Sequence, residues 1–282
     1  MSLTFLAVHA HPDDEASSTG GVFPLLRAQG VRTVLVTCTN GEFGDAPGGI
    51  KPGEPGHDPE EVATVREAEL DRAVELLGVD RLVRLGYRDS GMMGWPQNED
   101  PRSFWATRVD EAADRLAAVL LEERPDVVVT YNEIGFYGHP DHIQAHRITL
   151  AAIKRLDYEP TLYFNAIPNS VMARFRARWA DEARRRAEAA LARGDEPEAE
   201  PEGEEMDLGT PDELIAATID VGAAVDAKFD ALAAHASQLA DSFFLAMGRE
   251  EFAREMGTEW FVRATNPRGI EGTVTDLFAG YR

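Results

Sequence analysis

The chain has 282 residues, 44% of them hydrophobic and 28% charged, enough for a sizeable core and suited to one α/β domain spanning 1–282 with additions. Its 50 acidic against 28 basic side chains give a formal charge of −22, which repels nucleic acid and anionic membrane surfaces, so neither is an expected partner. The single cysteine, Cys38, sits in an apolar run and excludes a disulfide framework. No charged-then-apolar leader opens the sequence and no apolar run reaches about 18 residues, so the expected location is the cytoplasm.

Taken in chain order, Leu3 to Val8 and Val31 to Thr37 read as buried strands. Between them Val22, Phe23, Leu25 and Leu26 form a helical face, with Pro24 and the Gly20-Gly21 pair delaying the regular helix. Asp58-Pro59-Glu60-Glu61 supplies an N-cap, a proline at N1 and a carboxylate at N3, predicting a helix that runs to Leu77 and stops at Gly78. Arg81 to Tyr87 is the next strand, followed by a Gly/Pro/Asn-rich loop from Ser90 to Pro101. Val109, Ala112, Ala113, Leu116, Val119 and Leu120 keep helical spacing, and Pro125 separates them from a strand over Val127 to Tyr131. Beyond Leu156 the pattern predicts a strand over Thr161 to Ile167 and a charged, mostly solvated helix over Val171 to Arg193. A flexible acidic loop at about 194–206, a strand over Ala216 to Val221 and one long helix over Ala223 to Leu245 complete the prediction. The alternation gives an α/β class: a mostly parallel, Rossmann-like sheet with helices on both faces, helical and strand additions at the C-terminus, and the active site at the carboxyl ends of strands.

Two stretches resist a packing explanation. "AHPDDE", Ala10 to Glu15, follows the first strand, and "YGHPDHIQAH", Tyr137 to His146, follows the strand that ends at Tyr131. Five of the seven histidines lie in or beside these stretches: His9, His11, His139, His142 and His146. Unpaired carboxylates do not enter cores, whereas imidazole and carboxylate together are the usual ligands of a catalytic zinc site with one position left open. His9 lies deeper in the sheet, where a hydrogen-bonded core imidazole is the simpler reading, so His11 is the better ligand. His142 and His146 are one helical turn apart and both are able to bind in principle; His142 is preferred as nearer the loop.

Together the two motifs resemble the zinc-dependent N-acetylglucosaminyl deacetylase family, also called LmbE-like or PIG-L, most of all its members acting on N-acetylglucosaminyl-inositol in mycothiol synthesis and the related mycothiol S-conjugate amidases. The likeness is strong from Leu3 to about Ala152 and weaker through "KFDALAAHASQ", Lys228 to Gln238. It implies that His11, Asp14 and His142 hold one zinc, with Asp13 as general base beside the open position. It further implies that His139 assists the tetrahedral intermediate and the leaving amine, that Asp141 orients His139, and that Tyr137 polarises the substrate carbonyl. Arg66 and Asp89 match residues that grip sugar or inositol hydroxyls, against the plainer readings of a solvent-facing helix arginine and a turn former. Glu42, also after a strand end, either faces the pocket or solvates a loop.

The implied reaction is hydrolysis of an N-acetyl amide, with the conjugate amidase, other N-acyl amino sugars and a non-catalytic metal-binding α/β protein as alternatives. Dinucleotide binding is disfavoured, because the first turn carries carboxylates where a pyrophosphate needs G-x-G-x-x-G. Iron, cobalt or manganese suits the same ligands, and a homo-oligomer is left open.

Overall fold

The computed structural model describes residues 3–193, 209–240 and 242–282; the acidic stretch expected at 194–206 lies outside them. The elements run β1 (Thr4–His9), α1 (Asp14–Ser18), α2 (Val22–Ala28), β2 (Arg32–Thr39), α3 (Pro59–Leu77), β3 (Arg81–Tyr87), α4 (Val109–Glu123), β4 (Val127–Thr130), α5 (Gly135–Gly138), α6 (Pro140–Ile153), β5 (Thr161–Ala166), α7 (Asn169–Arg193), β6 (Ala217–Asp220), α8 (Val225–Ala234), α9 (Ala236–Leu239), α10 (Phe243–Ala246), α11 (Arg249–Met256) and β7 (Thr258–Arg263). The strands form one sheet in the order β3-β2-β1-β4-β5-β7-β6. β1 to β5 are mutually parallel, while β7 is antiparallel to both β5 and β6.

Strand periodicity sorts the core. Phe5 and Ala7 face one side with Val22, Phe23, Leu70, Leu77, Leu232 and Phe252, whereas Leu6 and Val8 face the other with Ala113, Leu116, Ala145 and Ile148. One face is therefore covered by α2, α3, α8 and α11, and the other by α4 and α6. Asp58 caps α3 by accepting from Glu60 N at 2.9 Å, and Gly78 ends the helix at φ 67.

The sequence reading misses α11 and β7, and its long helix over 223–245 is broken into α8, α9 and α10. The first break falls at His235, whose φ of −83° and ψ of 50° leave the helical region while its buried ring bonds to Glu15 Oε1 at 2.6 Å. In β7 the apolar pattern is interrupted by Glu259. That carboxylate is nevertheless buried, because it accepts from Lys228 Nζ (2.8 Å) and from the N–H groups of Gly21 (2.8 Å) and Val22 (3.1 Å) at the start of α2. Lys228→Met should therefore cost about 3–5 kcal/mol, the scale for leaving one charge of a buried pair uncompensated, read as a fall in the urea unfolding midpoint at pH 7. A midpoint equal to wild type would show the pair to be dispensable.

β1 leads to β2 and β3 on one side, and the chain then crosses to β4 on the other. The carboxyl ends of β1 and β4 thus flank the topological switch point, where open α/β sheets hold ligands. No helix among the described residues is long and apolar enough to cross a membrane.

Candidate active site

Both histidine motifs emerge at this switch point. At the end of β1, Tyr131 Oη accepts from Ala10 N at 2.8 Å, tying the exit of β1 to that of β4. His9 remains in the core, with Nε2 2.9 Å from Thr19 Oγ1, and burial lowers its pKa and keeps it neutral. The chain then turns sharply at Asp13, a non-glycine residue at φ 114°, before α1 begins at Asp14. The second motif turns through Gly135, Phe136 and Gly138, all at positive φ. His139 then caps α6, its Nδ1 accepting from Asp141 N at 3.1 Å, and Pro140 takes the first helical position.

These turns converge three groups. His142 Nε2 lies 3.3 Å from His11 Nδ1 and 3.5 Å from Asp14 Oδ2, and His11 Nδ1 lies 3.4 Å from Asp14 Oδ2. Burial raises the cost of charge on Asp14, but His142 and His11 outweigh it and hold its carboxyl well below the usual range. Burial likewise drives His142 down to about 4, against the pull of Asp14. Two imidazole nitrogens and an ionised carboxylate oxygen at this spacing are a donor set that fits one divalent cation. The ligand atoms of His11, His139 and His142 also lie within 4.8 Å of one another, but His139 Nδ1 is engaged as the helix cap. His146 is remote, its Nδ1 donating to Tyr131 O at 2.9 Å and its ring packing on Phe164.

Around this centre a polar cleft is lined by His11, Asp13, Asp14, Arg66, Asp89, Tyr137, His139 and Gln238, with Phe43, Met92 and Trp95 on its walls. Burial lifts Asp13 to about 6, although Arg66 opposes the rise. Tyr137 is pushed well above its ordinary value by burial and by the nearby Asp14 and Asp13, so its phenol stays protonated and able to donate. Burial, reinforced by His11 and His142, pushes His139 far down. With Nδ1 accepting, that neutral ring carries its proton on Nε2.

Four of the expected residues have partners that bear on the roles read for them. Asp141 does not orient His139 through its carboxylate: Oδ2 lies 3.2 Å from His11 Nε2 and accepts from Ser90 N at 2.9 Å, while Oδ1 accepts from Ser90 Oγ. It orients His11 instead, and at His139 the upward pull of Asp14 is outweighed by burial and by His11 and His142. Arg66 does not face solvent but lines the cleft. It is buried, donating to Asp13 Oδ2 (2.8 Å), Gly41 O (2.8 Å) and Pro12 O. Glu42 does not line the cleft, because its carboxylate accepts from Asp89 N at 3.1 Å and sits 3.4 Å from Arg88 Nε. Asp89 does line it, yet Oδ1 accepts from Gly91 N at 2.7 Å, the bond of a turn former. Sequence reasoning also missed Ser90 and gave Glu15 no role, although both adjoin residues it singled out. Asp141→Asn should lower metal affinity about 10–100-fold, the usual effect of losing a carboxylate behind a ligating imidazole, measured by competition with a chelator; unchanged affinity would remove this role.

The doubly wound sheet and the buried imidazole–carboxylate centre at its switch point define an α/β enzyme with a site that could hold a metal ion. The chain belongs to the PIG-L family, described as GlcNAc-PI de-N-acetylase, whose model matches residues 6–153, and it is accordingly a hydrolytic N-deacetylase. It is 40% identical to the 1D-myo-inositol 2-acetamido-2-deoxy-alpha-D-glucopyranoside deacetylase of Acidothermus cellulolyticus, over 99% of this chain and 96% of that one. It is also 40% identical to the enzyme of the same name from Thermobifida fusca, over 97% and 98%. Among solved structures it is similar in fold to the N,N'-diacetylchitobiose deacetylase of Pyrococcus horikoshii, with a TM-score of 0.57 and 20% identity over 92% of this chain and 83% of that one.

Proposed function

We propose that this chain is a zinc-dependent, cytoplasmic hydrolase that removes the N-acetyl group from N-acetylglucosaminyl-inositol and releases acetate. The observation that carries the reading is the convergence of His11 Nδ1, Asp14 Oδ2 and His142 Nε2 within 3.5 Å beside the cleft that holds Asp13. The substrate is supported by the names of relatives that match nearly the whole chain.

His11, Asp14 and His142 would hold the metal, which when bound polarises the amide carbonyl and lowers the pKa of the attacking water. Asp13 takes the proton from that water at Oδ2 or Oδ1, with Arg66 keeping the carboxylate ionised and aimed. Tyr137 Oη and the Nε2–H of neutral His139 donate to the oxygen on which charge develops. Protonated Asp13 then returns its proton to the departing amine. Phe43, Met92 and Trp95 give the cleft an apolar wall beside these groups.

The test compares acetate release from N-acetylglucosaminyl-inositol, free N-acetylglucosamine and a mycothiol S-conjugate by the zinc-loaded protein. The inositol glycoside should have the largest kcat/KM. Preference for the conjugate would replace this reading with the amidase, and no turnover of any of the three would make another N-acyl amino sugar the substrate.

A further inference from the structure

Glu15 ends the first motif without lining the cleft, yet it is fully buried and both of its oxygens are engaged. Oε2 accepts from Asp13 N at 3.0 Å, and Oε1 lies 2.6 Å from His235 Nε2, some 220 residues along the chain. Asp13 sits at φ 114°, which L-residues adopt only when their surroundings hold them there. Its carbonyl accepts from Ala16 N and Ser17 N, so the Glu15 bond is what fixes the amino side of the residue.

A carboxylate held at one oxygen can still rotate; held at both, it cannot. His235 supplies the second hold, and α8 breaks there to let it. The next residues grip the rest of the site. Ser237 donates through N and Oγ to Glu69, each at 2.7 Å, three residues from Arg66 on α3. Gln238 accepts from Asp45 N at 3.0 Å and donates to Asp45 O at 2.9 Å, fixing the loop that follows β2.

We propose that His235 is a positioning residue for Asp13, acting through Glu15, so that a C-terminal segment sets the aim of a group at the N-terminal motif. The proposal rests on Asp13 being the proton acceptor. A misplacement of about 1 Å at such a group costs about 10²-fold in rate, so the effect belongs in kcat and not in KM.

The test uses two polar replacements at this buried position that differ in reach. In His235→Gln the amide nitrogen reaches the place of Nε2 and can donate to Glu15; in His235→Asn it falls short. The glutamine variant should keep kcat within about threefold of wild type, and the asparagine variant should lose about 10–100-fold with KM changed less than threefold and metal content unchanged. Combined with Asp13→Asn, His235→Asn should add no further loss, because its route of action is already gone. Equal kcat in the two variants, or an undiminished loss in the Asp13→Asn background, would overturn the proposal. Turnover retained in Asp13→Asn alone is a separate result, which would remove the role of Asp13 itself and the proposal with it.

Discussion

Replacing Asp13 by asparagine should leave the metal content intact and lower kcat by about 10²–10⁴-fold, the range for losing a positioned general base. The carboxamide is nearly isosteric and still accepts from Arg66, so the turn at φ 114° is preserved while the proton acceptor is lost. The same assignment sets the acid side of the pH profile. Burial raises Asp13 to about 6, so its ionised fraction, and with it kcat/KM, should fall as pH drops through that value. Arg66 pulls the pKa down, and Arg66→Met should therefore move the acid limb to higher pH. An Asp13→Asn enzyme with near-normal kcat, or an acid limb that Arg66→Met leaves in place, would transfer the proton step to another group.

How far this site was legible in the sequence depends on the range of each interaction. The Asp58 cap, the Gly78 stop and the strand Arg81–Tyr87 come from local chemistry, and the structure places them where the residues say. The two His-Pro-Asp motifs were legible because charges after apolar strands must be paired. Asp141 was misread for a geometric reason: it is the second residue of a helix that His139 caps from outside in extended backbone, so the two side chains diverge and its carboxylate meets His11 instead. The pairings of Arg66 and Glu15 were not legible because their partners, Asp13 and His235, lie 53 and 220 residues away. No periodicity encodes such pairings. β7 escaped because its buried Glu259 breaks the apolar pattern, and what makes that burial tolerable, Lys228 and the N–H groups of Gly21 and Val22, lies far away in the sequence.

His142→Ala should abolish stoichiometric metal binding, and the same is expected of alanine at His11 or Asp14. Removing one of three close donors leaves two, too few to hold a cation against water or a chelator. His146→Ala is the informative control. It lies one helical turn further along α6 and is an equally good ligand by residue type, but its Nδ1 is given to Tyr131 O and its ring to Phe164, so metal content should survive its loss. Stability supplies a second readout that needs no substrate. A metal that binds only the folded chain raises Tm by mass action, so a chelator should lower the Tm of the wild type and of His146→Ala while leaving His142→Ala unmoved. Full metal content in His142→Ala by elemental analysis, or a chelator response undiminished in that variant, would take His142 out of the centre and make His139, whose ligand atoms also lie within 4.8 Å of those of His11, the donor to test next.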